Sequence, residues 1–166
     1  MIAEIQIDDS PKAQARRLAP HLRYDAFYVL ATAIDSPDGL AVATPECAKE
    51  LLAAKAVTAA PRHQGAKNQP QQWCAITAFG RVLHKACVER RQRIAMWMQL
   101  SVAERQILVA ARGTGFVDLP DGSTCADRDR CIALDYIERC SVHVNDEPTW
   151  GWGLTAEGKL IVEAAA

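Results

Sequence analysis

A chain of 166 residues with 49% apolar and 23% charged residues has ample material for a packed core, which excludes intrinsic disorder. Aromatic residues make up only 6% while alanine is abundant, a balance that favours closely packed helices over a broad sheet sandwich. The net charge of −1 is unevenly spread: residues 1–100 carry 13 Lys and Arg against 9 Asp and Glu, residues 101–166 carry 6 against 11, a split that suits either two different partners or two solvated surfaces.

Residues 1–9 contain neither a basic leader nor a long apolar run, and no stretch approaches the roughly 20 apolar residues that cross a bilayer. A soluble, cytoplasmic chain without membrane contact is therefore expected. Its six cysteines (Cys47, Cys74, Cys87, Cys125, Cys131 and Cys140) are expected as reduced thiols in the interior or on helix flanks. Ser10-Pro11 reads as an N-cap followed by proline at the first helical position. A helical pattern over residues 24–34 runs into the turn Asp35-Ser36-Pro37-Asp38-Gly39. Thr44-Pro45 opens a second helix, expected over 45–56, and a strand follows at Val57-Thr58-Ala59-Ala60. After a polar loop, a strand beginning at Trp73 enters a helix capped by Thr77. Apolar residues at helical spacing from Phe79 to Met98 extend that helix from Ala78 to about Gln99, with Arg81, Lys85, Arg90 and Arg91 on its other face.

The second half repeats this order. Ser101-Val102-Ala103-Glu104 is a capping box for a helix over 102–112, which Gly113 is expected to end in the left-handed conformation. Leu119-Pro120-Asp121-Gly122 forms a turn, a helix is expected over 128–139, and a strand at Ser141-Val142-His143-Val144 precedes a polar turn. Trp152-Gly153-Leu154-Thr155-Ala156-Glu157-Gly158 then enters a last helix. Two Pro-Asp-Gly turns and two Thr-Ala-x-Gly segments in the same order imply an internal duplication. The expected architecture is α+β and mostly helical, with modules at 1–100 and 101–166 joined by the long helix. Trp73 and Trp152 are expected at equivalent places as core anchors.

A strand entering a helix through Gly153-Leu154-Thr155-Ala156-Glu157-Gly158, and less cleanly through Ala75-Ile76-Thr77-Ala78-Phe79-Gly80, resembles the winged helix-turn-helix. The resemblance covers about 140 residues taken as two copies, and that fold serves DNA binding, RNA binding and protein docking alike. The sequence departs from the family twice. Only a turn and a short strand fit between the first two helices of each module, and the glycine that often ends the reading helix is replaced, by Lys55 and Cys140 on this reading. The resemblance implies a nucleic-acid-associated, DNA-binding or regulatory protein. Contacts would come from the first wing through Arg62, His63, Gln64, Lys67 and Asn68, and from Arg90 and Arg91 on the long helix. Duplex DNA is the candidate partner of the first module. The second wing carries Asp146 and Glu147 and should repel phosphate, leaving the acidic second module to a protein partner. The alternative is a docking module or inhibitor that has lost DNA reading.

Catalysis is not expected, because there is no Gly-rich phosphate loop, nucleophile elbow or His-Glu-x-x-His pair. Cys140-x-x-His143 and His84-x-x-Cys87 have ligand-like spacing, yet structural zinc usually shows paired knuckles and these cysteines are scattered among apolar positions. No metal or cofactor is expected.

Overall fold

The computed structural model describes residues 8–61, 72–144 and 147–166, in an α+β fold that is mostly helical. The chain divides into two compact units, residues 1–90 and 91–166.

In the first unit, α1 (Pro11–Leu18) starts at Ser10, whose hydroxyl accepts from the Ala13 amide at 3.2 Å. A single 3-10 turn (Ala19–His21) leads to α2 (Tyr24–Asp35), β1 (Leu40–Ala43), α3 (Pro45–Ala53), β2 (Val57–Ala59), β3 (Gln72–Ile76) and α4 (Ala78–Gln99). Thr44 caps α3 through the Cys47 amide at 3.3 Å, with Pro45 at the first position as the sequence implies. The three strands form one antiparallel sheet in the order β1-β3-β2, with Ala41 and Ala59 both opposite Cys74. Leu30, Leu51 and Leu83 are fully buried here among alanines of α1 to α4, whose small side chains let backbones approach closely.

In the second unit, α5 (Val102–Ala111), α6 (Cys125–Ala133), a two-stranded ribbon of β4 (Ile137–Val144) and β5 (Glu147–Leu154), and α7 (Ala156–Ala165) surround Ile107, Leu108, Ile137 and Ile161, all fully buried. The Ser101 capping box forms as read: Ser101 Oγ accepts from Glu104 N at 3.1 Å, and Glu104 Oε2 accepts from Ser101 N at 2.6 Å. That carboxylate is itself buried and meets Arg130 Nε at 3.0 Å, tying α5 to α6. A charge so placed persists because both its oxygens are engaged.

One joint occurs in both units. Thr77 donates its hydroxyl to the Lys55 carbonyl (2.8 Å) and accepts from Gly80 N (3.0 Å), while its amide donates to the Ala56 carbonyl (3.0 Å). Thr155 donates to the Asp135 carbonyl (2.5 Å), accepts from Gly158 N (3.0 Å) and bonds the Tyr136 carbonyl through its amide (3.1 Å). Among the described residues, Lys55 and Asp135 are the two non-glycine residues with positive φ, both at 58°. Each follows a 9-residue helix, α3 or α6, and an amide–carbonyl bond closes each helix end, Ala56 to Leu51 and Tyr136 to Cys131, both at 2.9 Å.

Four expectations are corrected. The helix expected over 128–139 is instead Cys125–Ala133: a capping box of Thr124 with Asp127 starts it earlier, and Asp135 in the left-handed region stops it. The counterpart of Lys55 is therefore Asp135, not Cys140, which lies within β4. Gly113 is not left-handed; Gly115 is, at φ 85°, where a Cβ would come within 2.4 Å of Val142 and 2.6 Å of the Trp152 carbonyl. With Thr77 and Thr155 as matching points, Trp73 corresponds to Gly151, and the buried Cys74 corresponds to Trp152.

None of the six cysteines forms a disulfide; Cys47, Cys74, Cys87 and Cys131 are buried, Cys140 is half-buried and Cys125 exposed. Burial, then the nearby Glu104 and Asp127 carboxylates, pushes the Cys131 thiol up to about 11. Burial likewise raises Cys47, Cys74 and the Tyr136 phenol. No helix among the described residues is long and apolar enough to cross a membrane.

Two predictions follow from this packing. An ideal Cβ on Gly80 would lie 2.0 Å from the Ala56 carbonyl oxygen, and one on Gly158 2.0 Å from that of Tyr136, whereas one on Gly113 meets nothing within 4 Å. Gly80→Ala and Gly158→Ala should each destabilise by about 3 kcal/mol or more, because backbone must move, and Gly113→Ala should stay within about 0.5 kcal/mol. Urea melts showing all three alike would refute the close approach. The raised thiols hold their protons more tightly in the folded state. Their stabilisation is complete below an ordinary thiol pKa near 9 and is lost as pH rises towards the value of about 11 for Cys131. Stability measured under reducing conditions should therefore fall between about pH 9 and 11. Cys131→Ala should show a shallower fall whatever its baseline; an unchanged slope would contradict this account.

Candidate nucleic-acid interface

Of the residues singled out from the sequence, Arg62, His63, Gln64, Lys67 and Asn68 lie outside the described residues. The strands flanking them pair as a hairpin, with Val57 opposite Ile76 and the Ala60 amide bonded to the Trp73 carbonyl at 2.9 Å. Arg90 and Arg91 are neighbours on α4, the last residue of one unit and the first of the next. Arg90 is half-buried and its Nε has no hydrogen-bond partner among the described residues; Arg91 is exposed. Arg93, the third arginine of that run, pairs with Glu157 at 3.3 Å. On and just after α3, Glu46 and Glu50 balance Lys49 and Lys55 in charge.

The first unit places other cations together. A groove of about 380 Å³ lies between the start of α1 and the middle of α4, lined by Ser10, Lys12, Arg16, Val82, Lys85 and Glu89 among others. Lys12 and Arg16 stand one helical turn apart on α1, and Lys85 faces them from α4. These three cations have no ion-pair partner among the described residues. Three positive groups around one carboxylate over a largely apolar floor make a focused positive surface. Lys85 belongs to the basic helix face read from the sequence. The α1 pair was missed because only an encounter between segments distant in sequence gives it meaning.

The second unit carries a different surface on its ribbon. Strand pairing sets Arg139 opposite Trp152, Ser141 opposite Trp150 and His143 opposite Pro148, all on one face by alternation. Arg139 lies over the Trp150 ring (Cζ 5.8 Å from the centroid) and Arg128 of α6 lies over Trp152 (5.3 Å). Two hydrogen bonds from Arg128 to Asp129, at 2.7 and 3.0 Å, hold that guanidinium still more firmly protonated. Trp150 remains 66% exposed. Glu138 and Glu147 pair with Gly153 and Val144, so both acids fall on the opposite row. The second wing is expected from its composition to repel phosphate through Asp146 and Glu147; Asp146 lies outside the described residues, and alternation places Glu147, like Glu138, on one face and leaves the other without a carboxylate from the described ribbon residues. Trp152 does contribute to the core, but Trp150 went unremarked in the sequence because its exposure depends on register.

The ligand-like spacings do not converge. Cys140 and His143 are three apart on a strand and so point to opposite faces, and His84 stacks on Phe27 with centroids 5.0 Å apart. Among the described residues no three His, Cys, Asp or Glu side chains gather as a metal site requires. A mainly apolar groove of about 490 Å³ runs beside α5, lined by Val102, Arg105, Val109, Ala110 and Pro120 among others, with Val102 and Val109 largely exposed. Comparison with protein-family models, curated proteins and solved structures gives no match to this chain.

Proposed function

We propose that this chain is a nucleic-acid-associated protein, binding rather than catalytic, built from two degenerate winged-helix-like modules. The cationic groove of Lys12, Arg16 and Lys85 carries the reading, because it supplies unpaired positive charge where a phosphate backbone can lie. In the first unit, the order helix, strand, helix, strand, strand, helix and the sheet order β1-β3-β2 support the fold resemblance; for the second unit the support is the joint repeated at Thr77 and Thr155. The single helix between β1 and β2 shortens the usual helix-turn-helix, so phosphate contact outweighs base reading in this proposal. In it, duplex DNA meets the first module through this groove, the segment with Arg62, His63, Gln64, Lys67 and Asn68, and the arginines Arg90 and Arg91. A second reading, a protein-docking module or inhibitor, draws support from the apolar groove beside α5 in the more acidic half.

Fluorescence anisotropy on mixed-sequence duplex across a salt series separates the two readings. Each phosphate-contacting charge removed should lower the magnitude of the log–log salt slope by about one. Arg16→Ala with Lys85→Ala should therefore lower it by about two, and Arg62→Ala with Lys67→Ala by a similar amount. Wild-type protein that ignores duplex at low salt would overturn the DNA reading and leave the docking one. Binding untouched by both double variants would show that these are not the contacts.

A further inference from the structure

The ribbon face of the second unit has a composition that packing alone does not explain. Large exposed aromatics are uncommon on a ribbon edge, and here Trp150 and Trp152 follow each other on one row with an arginine against each ring. We propose that this face is a stacking site for unpaired nucleotides: a base lies on the exposed Trp150 indole, and Arg139 reaches the adjoining phosphate. The inference rests on the nucleic-acid reading above and adds a single-stranded ligand to it.

Three observations converge on that ligand. Trp150 is 66% exposed while its partner across the strands, Ser141, is small and exposed, so the ring is open to a planar ligand. Every nucleobase has a π face, so stacking of this kind suits unpaired bases without demanding a sequence. Arg139 has no hydrogen bond or ion pair among the described residues beyond its contact with the ring, which leaves its donor fork for an anion. Ser141 and His143 continue the row towards the tip with further polar groups, while Glu138 and Glu147 occupy the other row. A row of arginine, aromatic and small polar side chains without a carboxylate complements a strand of phosphates and bases. Arg128 over Trp152, pinned by Asp129, makes the base of the row rigid. The first unit has no counterpart: Gln72 and the buried Cys74 stand where Trp150 and Trp152 stand here.

The test uses the full chain with a fluorescein-labelled 15-mer of deoxythymidine, a 15-base-pair mixed duplex and a decaproline peptide. The expected result is quenching of tryptophan fluorescence by the single strand, which Trp150→Ala removes in large part. Trp150→Ala should weaken single-strand binding about tenfold or more, the range of one lost base–aromatic stack, and change duplex binding less than about twofold if the duplex is held by the first unit. Arg139→Gln should lower the single-strand salt slope by about 0.7. Because both side chains are exposed, unchanged melting temperatures confirm that the variants remain folded. Single-strand binding indifferent to both substitutions overturns the site. Duplex binding with no single-strand binding overturns this inference and leaves the proposed function standing, whereas binding of neither overturns both. Quenching by decaproline but not by the oligonucleotide overturns it in favour of a peptide surface.

Discussion

Both units depend on one steric constraint: a helix begins where a backbone carbonyl leaves no room for a side chain. The α-carbons of Gly80 and Gly158 press on the carbonyls of Ala56 and Tyr136, with 2.0 Å from the oxygen to the place of a missing Cβ. The threonine three residues earlier fills two roles at once, capping its own helix and donating to the left-handed residue that ended the preceding one. Three elements are thereby fixed by a single residue type: the end of α3 or α6, the start of β2 or β4, and the exit from β3 or β5. The joint satisfies amides and carbonyls at helix ends that would otherwise be stranded away from water. Apart from the threonine hydroxyl its hydrogen bonds are main-chain, so the exposed side chains around it are free to differ.

They do differ, and the pattern of the difference has a physical basis. The first unit builds its core on alanines and brings α1 against α4, which sets Lys12 and Arg16 beside Lys85. The second uses larger residues, buries Glu104 against Arg130, and extends a two-stranded ribbon on which alternation separates acids from arginines. The net charge of a segment therefore says little about the field at its surface. The second half is acidic as a whole, and Arg139 of its ribbon and Arg128 of α6 still lie against two indoles on one ribbon face.

What could be read from the sequence follows the range of the signal. The long helix α4 was legible to its end residues, because a threonine cap and apolar spacing are both local. The Ser101 capping box and the proline starts of α1 and α3 were legible for the same reason. The end of α6 was not, because Asp135 takes the left-handed conformation that Gly usually marks, and an aspartate in a helical run of charges gives no such mark. Gly113 offered the more obvious stop, yet the residue with positive φ is Gly115, where Val142 and the Trp152 backbone crowd in. The groove and the tryptophan row needed tertiary and cross-strand information. Lys12 and Lys85 are far apart in sequence, and the exposure of Trp150 follows from strand register rather than residue type.

The two hairpins are not of equal length. From Thr44 and Thr124 to the first strand residues Val57 and Ile137 the two units keep step residue for residue, and they keep step again from Gln72 and Trp150 into α4 and α7. Between those stretches the first unit is two residues longer. The stretches clamped by the joint thus have the same length in both units, and the difference falls between the paired strands, where a change of length need not move a helix. Such a scaffold behaves like a socket with an exchangeable finger: the reach and chemistry of the ribbon can be altered by insertion, deletion or transplantation between units while the frame that holds it keeps its hydrogen bonds.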